Sequence, residues 1–106
     1  MDRMKEDLKA YASEFVGTAI LMIAGIAAIS FNFGEQSQLA NLLPNETLRL
    51  ALAGAGFALG ANIVIYSALG QTSGGHLNPA ITIAFWMQGK IETKQLAPYM
   101  FCQCLG

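Results

Sequence analysis

The stretch Ser73-Gly74-Gly75-His76-Leu77-Asn78-Pro79-Ala80 holds the residues whose types and spacing are most informative. Asn78 is a strong N-cap residue, and Pro79 suits the first helical position, where a missing N–H costs nothing. The spacing predicts a helix over Pro79–Gln88, stopped by Gly89, with extended, bare backbone at the glycines ahead of it. About ten residues at about 1.5 Å each reach about 15 Å, half of a bilayer core of about 30 Å. With Trp86 and Lys90 at the membrane surface, Asn78 comes to lie near the midplane. A helix that begins there aims the positive end of its dipole and its free N–H groups at whatever passes.

Few other residues carry chemistry. Glu14 is the single carboxylate near an apolar segment. Two readings of it stand open: a first-turn residue favoured by the helix dipole, or an acceptor for backbone N–H groups that a loop at membrane depth would leave without partners. His76 reads as a hydrogen-bonding brace, since no second histidine or ligand cluster accompanies it and no metal site is expected. Cys102 and Cys104 point about 200° apart on a helix, cannot share one ion, and read as core residues. Asn45-Glu46-Thr47 matches a glycosylation acceptor, but Pro44-Asn45 reads better as a helix start. No nucleophile-and-base pair, phosphate loop or basic nucleic-acid patch is present. The sequence therefore argues against an enzyme, a cofactor and a nucleic-acid partner.

The elements that must position these residues are apolar. Hydrophobic residues make up 54% of the chain, charged residues 12%, and mean hydropathy is +0.43. Soluble domains carry roughly 25% charged residues, so the partner expected is a lipid bilayer. Spans are expected at about 12–31 and 48–69, each long enough to cross. A third apolar run, about 95–106, is too short to do so. Arg3, Lys5 and Lys9 ahead of the first span resemble a signal peptide's basic start, but the apolar core is too long and no small-residue cleavage site follows. Lys90 and Lys94 follow the short helix, whereas Asn32–Thr47 holds Glu35 and Glu46 with Arg49 only at its far edge. The positive-inside rule places the N-terminus and Lys90–Lys94 in the cytoplasm. Residues 71–89 must then enter and leave from that side as a re-entrant loop, which survives only when buried in protein or lining a wet cavity. Gly17, Ala24 and Ala28 in the first span, and Ala53, Gly56 and Gly60 in the second, are spaced for close helix packing.

The residues Ser73 to Thr82 resemble the first Asn-Pro-Ala signature of the aquaporin and glycerol-facilitator (major intrinsic protein) family. Glu14-Phe15-Val16-Gly17-Thr18 resembles its first-helix motif, Tyr66 to Gly70 the end of its second helix, and Tyr99, Gln103 and Gly106 the start of its third. The resemblance implies an all-α membrane protein with transmembrane helices and one re-entrant half-helix, the first inverted repeat of an aquaporin-like bundle, truncated in the third span. It also implies a multi-pass cell-membrane channel for water or small neutral solutes, assembled as a homotetramer. In such a channel Asn78, Pro79 and Ala80 form the midplane signature, and Asn78 donates its amide N–H to the solute. Carbonyls of Gly74, Gly75, His76 and Leu77 form an acceptor ladder, and Glu14 braces the loop. Ala58, beside Phe57, falls at the constriction; Ala58 there favours glycerol-sized solutes, whereas a one-residue shift to Phe57 favours water. Family members carry two inverted repeats, and this chain carries one Asn-Pro-Ala and no filter arginine. The reading is a channel fragment whose function is that of its parent. The alternatives are a non-conducting membrane subunit or truncated gene product, and a broken-helix secondary transporter.

Overall fold

The computed structural model describes all of residues 1–106. It is all-helical, with no strand: α1 (Asp2–Phe33), α2 (Gln38–Leu42), α3 (Glu46–Tyr66), α4 (Ala68–Ser73), α5 (Pro79–Met87) and α6 (Thr93–Leu105). The helices α1 and α3 are long and apolar enough to cross a membrane. The molecule is inside-out by soluble standards. Its buried polar side chains (Ser13, Glu14, Thr18, Asn32, Arg49, Ser73, His76, Thr82, Gln103) outnumber the buried apolar ones (Ala10, Ala53, Val64, Leu77, Tyr99). Ile23, Ile26, Ile29, Leu59 and Ile63 meanwhile lie more than 60% exposed. Such a surface suits hydrocarbon rather than water.

Helix α1 is longer than the apolar span within it. Residues 2–11 are good helix formers with Asp2 in the first turn, and they are tied to the end of the chain. Arg3 pairs with Glu92, and Gln95 Nε2 donates to Asp7 Oδ1 at 3.0 Å. Glu14 therefore sits three turns into its helix, and the first-turn dipole reading does not apply to it.

Small residues let α1 and α3 approach. A Cβ placed on Gly60 would fall 2.8 Å from the Ala24 Cβ, and one on Gly56 would fall 3.4 Å from that of Ala28. Gly25 plays the same part for the Phe57 ring, at 2.8 Å, and belongs with the small residues picked out by spacing. At the far end Arg49 is buried, donating to Asn32 O at 3.2 Å with its guanidinium 5.0 Å from the Phe33 ring centre. The charge at the edge of the loop thus fastens α3 to α1.

Two helix ends and one added helix differ from the sequence reading. The second apolar run is not one helix to Leu69: α3 ends at Tyr66, and Ser67 takes extended backbone (φ −73°, ψ 173°) before α4 begins. The Ser67 hydroxyl donates to Val64 O at 2.6 Å and accepts from Leu69 N at 3.2 Å, so a side chain takes over hydrogen bonds the helix would have made. Within Asn32–Thr47, a single turn of helix, α2, follows Ser37, whose hydroxyl donates to Phe31 O. Helix α5 ends at Met87 rather than Gln88, and Gly89 turns away with φ +70°. Asn45 caps α3, accepting from Leu48 N at 3.0 Å.

Candidate functional site

The segment joining α4 to α5 has left-handed rather than extended backbone. Gly74 (φ +92°) closes α4, its N–H donating to Gly70 O at 2.8 Å, and Gly75 (φ +63°) continues the bend. Leu77 is also left-handed, at φ +55°, a conformation that costs a non-glycine residue about 1–2 kcal/mol. Something must hold it there. The turn at Gly74, Gly75 and Leu77 brings the successive N–H groups of His76 and Leu77 to one side, a concave anion cradle.

Glu14 fills that cradle. It is fully buried, and each carboxylate oxygen accepts two hydrogen bonds. Oε1 takes Ser73 Oγ at 2.6 Å and His76 N at 3.0 Å; Oε2 takes Leu77 N at 2.7 Å and Gln103 Nε2 at 2.7 Å. Four donors on two oxygens match the acceptor capacity of an ionised carboxylate. The arrangement spans α1, α4, the loop and α6. Leu77 is held a second time by packing, since any Cβ on Gly17 would fall 2.7 Å from its Cδ2.

A second buried set continues from the first. Gln103 Nε2 also donates to Thr82 Oγ1 at 2.8 Å, and Thr82 Oγ1 shares a 3.1 Å hydrogen bond with His76 Nδ1. The His76 ring lies against Phe85 and Tyr99, with centroids 4.7 and 5.0 Å away. Tyr99 OH donates to Ser73 O at 2.7 Å. Sequence reasoning assigned no role to Ser73, Thr82, Tyr99 or Gln103. The available signal was the i, i+4 spacing of Tyr99 and Gln103, which sets two polar groups on one face of an apolar helix.

The outcome is a loop whose N–H groups are engaged and whose carbonyls are free. Gly74 N, Gly75 N, His76 N and Leu77 N all donate within the chain. The carbonyl oxygens of these same four residues receive no donor within it. Asn78 follows in extended backbone and caps α5, its Oδ1 accepting from Ala80 N at 2.8 Å. Capping consumes the amide oxygen and leaves Nδ2, a donor, on an exposed side chain. Pro79 occupies the first turn, where its missing N–H costs nothing. Along the chain, four carbonyl oxygens without a donor therefore precede one amide N–H donor.

The remaining residues separate. Phe57 packs its ring on Gly25, between α1 and α3. Ala58 shares a face of α3 with Ile65, two turns on, and Ile65 lies against the loop at Gly75. Of the two, Ala58 is on the loop side. Cys102 and Cys104 are free thiols; Cys104 is exposed rather than a core residue, and only Cys102 is half-buried.

Comparison with known proteins bears on this geometry. The family model described as Major intrinsic protein matches residues 1–106. The chain belongs to the major intrinsic protein family. It is 33% identical over 104 residues to a glycerol uptake facilitator protein of Buchnera aphidicola, covering 98% of this chain and 36% of that protein. It is 33% identical over 101 residues to an aquaporin Z of Photorhabdus laumondii (93% and 39%), and 37% identical over 99 residues to a probable aquaporin TIP2-2 of Arabidopsis thaliana (93% and 38%). The chain thus spans a little over a third of the length of these relatives. No solved structure matches significantly. Family membership and two helices able to span mark it as a membrane protein.

Proposed function

We propose that residues 1–106 form most of the first half of a passive channel for water and small uncharged solutes, with spans at about 12–31 and 46–66, a re-entrant segment at 71–89 and a third span opening at about 95. The observation that carries this reading is the loop's division of labour. Glu14, Ser73 and Gln103 absorb or organise its N–H groups, so that four carbonyls and the Asn78 Nδ2 stay free. A solute that sheds its hydration shell needs replacement partners, and a row of acceptors with one donor supplies them. The positive end of α5, near the midplane, opposes cations and protons. Glu14, the one carboxylate at membrane depth, has every acceptor position engaged and is poorly placed to carry protons in a coupled transporter.

In this reading Asn78, Pro79 and Ala80 are the midplane signature, Gly74 to Leu77 the acceptor ladder and Ala58 the constriction. Phe57 belongs to helix packing, so the constriction is wide and admits glycerol-sized solutes beside water. The channel sits in the cell membrane with its N-terminus cytoplasmic, and the complete protein is a homotetramer with one pore per subunit.

One repeat supplies one wall. An inverted partner is needed for the other, and Arg3, Lys5, Lys9, Lys90 and Lys94 bias every copy of this chain to the same orientation. Stopped-flow light scattering on liposomes tests both points. Residues 1–106 alone should be no more permeable to water and glycerol than empty vesicles, whereas a full-length channel carrying them should conduct both. Conduction by 1–106 alone that is lost in Asn78→Asp, or none by the full-length channel, would contradict the proposal.

A further inference from the structure

From Leu50 to Ile65, α3 carries one polar side chain, Asn62. It is exposed, one turn before the end of a helix able to cross a membrane and close in the chain to Ile65, which meets the loop at Gly75. Its Nδ2 donates to Ala58 O at 2.8 Å, one turn back, leaving Oδ1 and the second N–H without partners in the chain. A carboxamide facing hydrocarbon in that state costs several kcal/mol, so its sector of α3 must be wet or polar.

The position of that sector follows from three contacts. Val64 and Gly60 face α1, against Gly17 and Ala24. Ile65 faces the loop, against Gly75. Asn62 lies about 60° from Ile65 around the helix and about 4.5 Å along it, on the side opposite α1. The bulky exposed residues Leu52, Leu59 and Ile63 occupy the adjoining sector, turned further from the loop. Helical side chains lean toward the N-terminus, and the Asn62 amide accordingly lies back over Ala58, where a methyl group leaves room for it.

We infer that Asn62 is a specificity-determining residue: its amide occupies the gap left by Ala58 and hydrogen-bonds solutes that carry several polar groups, short polyols above all, between the constriction and Asn78. This rests on the channel reading above. The pairing of Ala58 with Asn62 makes the passage polar where it is wide. A diol or triol then finds a donor and an acceptor on the α3 wall in addition to the loop carbonyls, whereas water gains little from a second partner.

The test is the glycerol-to-water permeability ratio of the full-length channel in liposomes. Asn62→Leu, similar in volume without hydrogen-bonding atoms, should lower the ratio about three-fold or more, as expected for loss of about one hydrogen bond. Asn62→Val should act in the same direction and serves the comparison if the leucine variant does not fold. Asn62→Ser should keep most of the ratio, and Leu59→Val, in the bulky sector, should leave it unchanged. An unchanged ratio in a conducting Asn62→Leu or Asn62→Val channel would overturn the inference and leave the channel reading intact. A full-length channel that conducts neither water nor glycerol would overturn both.

Discussion

Glu14 governs the site through its two oxygens, which divide the work evenly: Ser73 and His76 on one, Leu77 and Gln103 on the other. Glu14→Ala leaves the buried N–H groups of His76 and Leu77 without a partner, at about 1–3 kcal/mol each, and removes what holds Leu77 in left-handed backbone, while Ser73 and Gln103 keep only Leu69 O and Thr82 Oγ1. It should abolish most of the folded yield. Glu14→Gln keeps one acceptor oxygen but turns an NH2 toward two donors, so it should be milder than alanine yet clearly worse than wild type. Membrane-extracted yield and thermal unfolding in detergent check both variants, and wild-type behaviour of Glu14→Ala would remove the brace from the account. Asn78 and Pro79 were legible in the sequence because capping is local chemistry that three or four residues decide. The four-donor cluster was not. Its members stand up to 89 residues apart, and only the packing of α1, α4 and α6 brings them together. The Leu77 conformation was equally hidden, since nothing about a leucine announces a positive φ.

Among the elements, the α1–α3 contact sets the frame on which the loop hangs. Gly60 is closed in, its hydrogen facing the Ala24 methyl, whereas a Cβ on Gly54 would meet nothing within 4 Å. Gly60→Leu should therefore force the helices apart at about 1–3 kcal/mol or more, lowering the melting temperature in detergent. Gly54→Ala should match or slightly exceed wild type, because alanine stabilises a helix interior by about 0.5–1 kcal/mol over glycine. Equal melting of the Gly60→Leu variant and wild type would show that the pair does not rely on close approach. The small-residue spacing was readable because helical periodicity alone reveals it. The break at Ser67 and the short helix α2 were not. The first falls inside a long uncharged run and comes from one hydroxyl hydrogen-bonding nearby backbone. The second is five residues long, below what pattern can register.

At the scale of the whole molecule, the proposed function depends on α5 being a half-helix that returns to the side it came from. Lys90 and Lys94 then share the cytoplasm with Arg3, Lys5 and Lys9, and Gln38 lies outside. The cross-links between the two ends of the chain agree with this, since Arg3–Glu92 and Gln95–Asp7 hold the start of α1 beside the start of α6. Gln38 and Thr93 are both exposed, and the native thiols Cys102 and Cys104 can be replaced by alanine to give a clean background. In that background, Gln38→Cys and Thr93→Cys should respond differently to a membrane-impermeant maleimide. In intact cells the cysteine at position 38 should label and the one at position 93 should label only after permeabilisation. Equal labelling of both in intact cells would put residues 71–89 across the membrane rather than folded back within it, and would contradict the half-helix at the centre of the account.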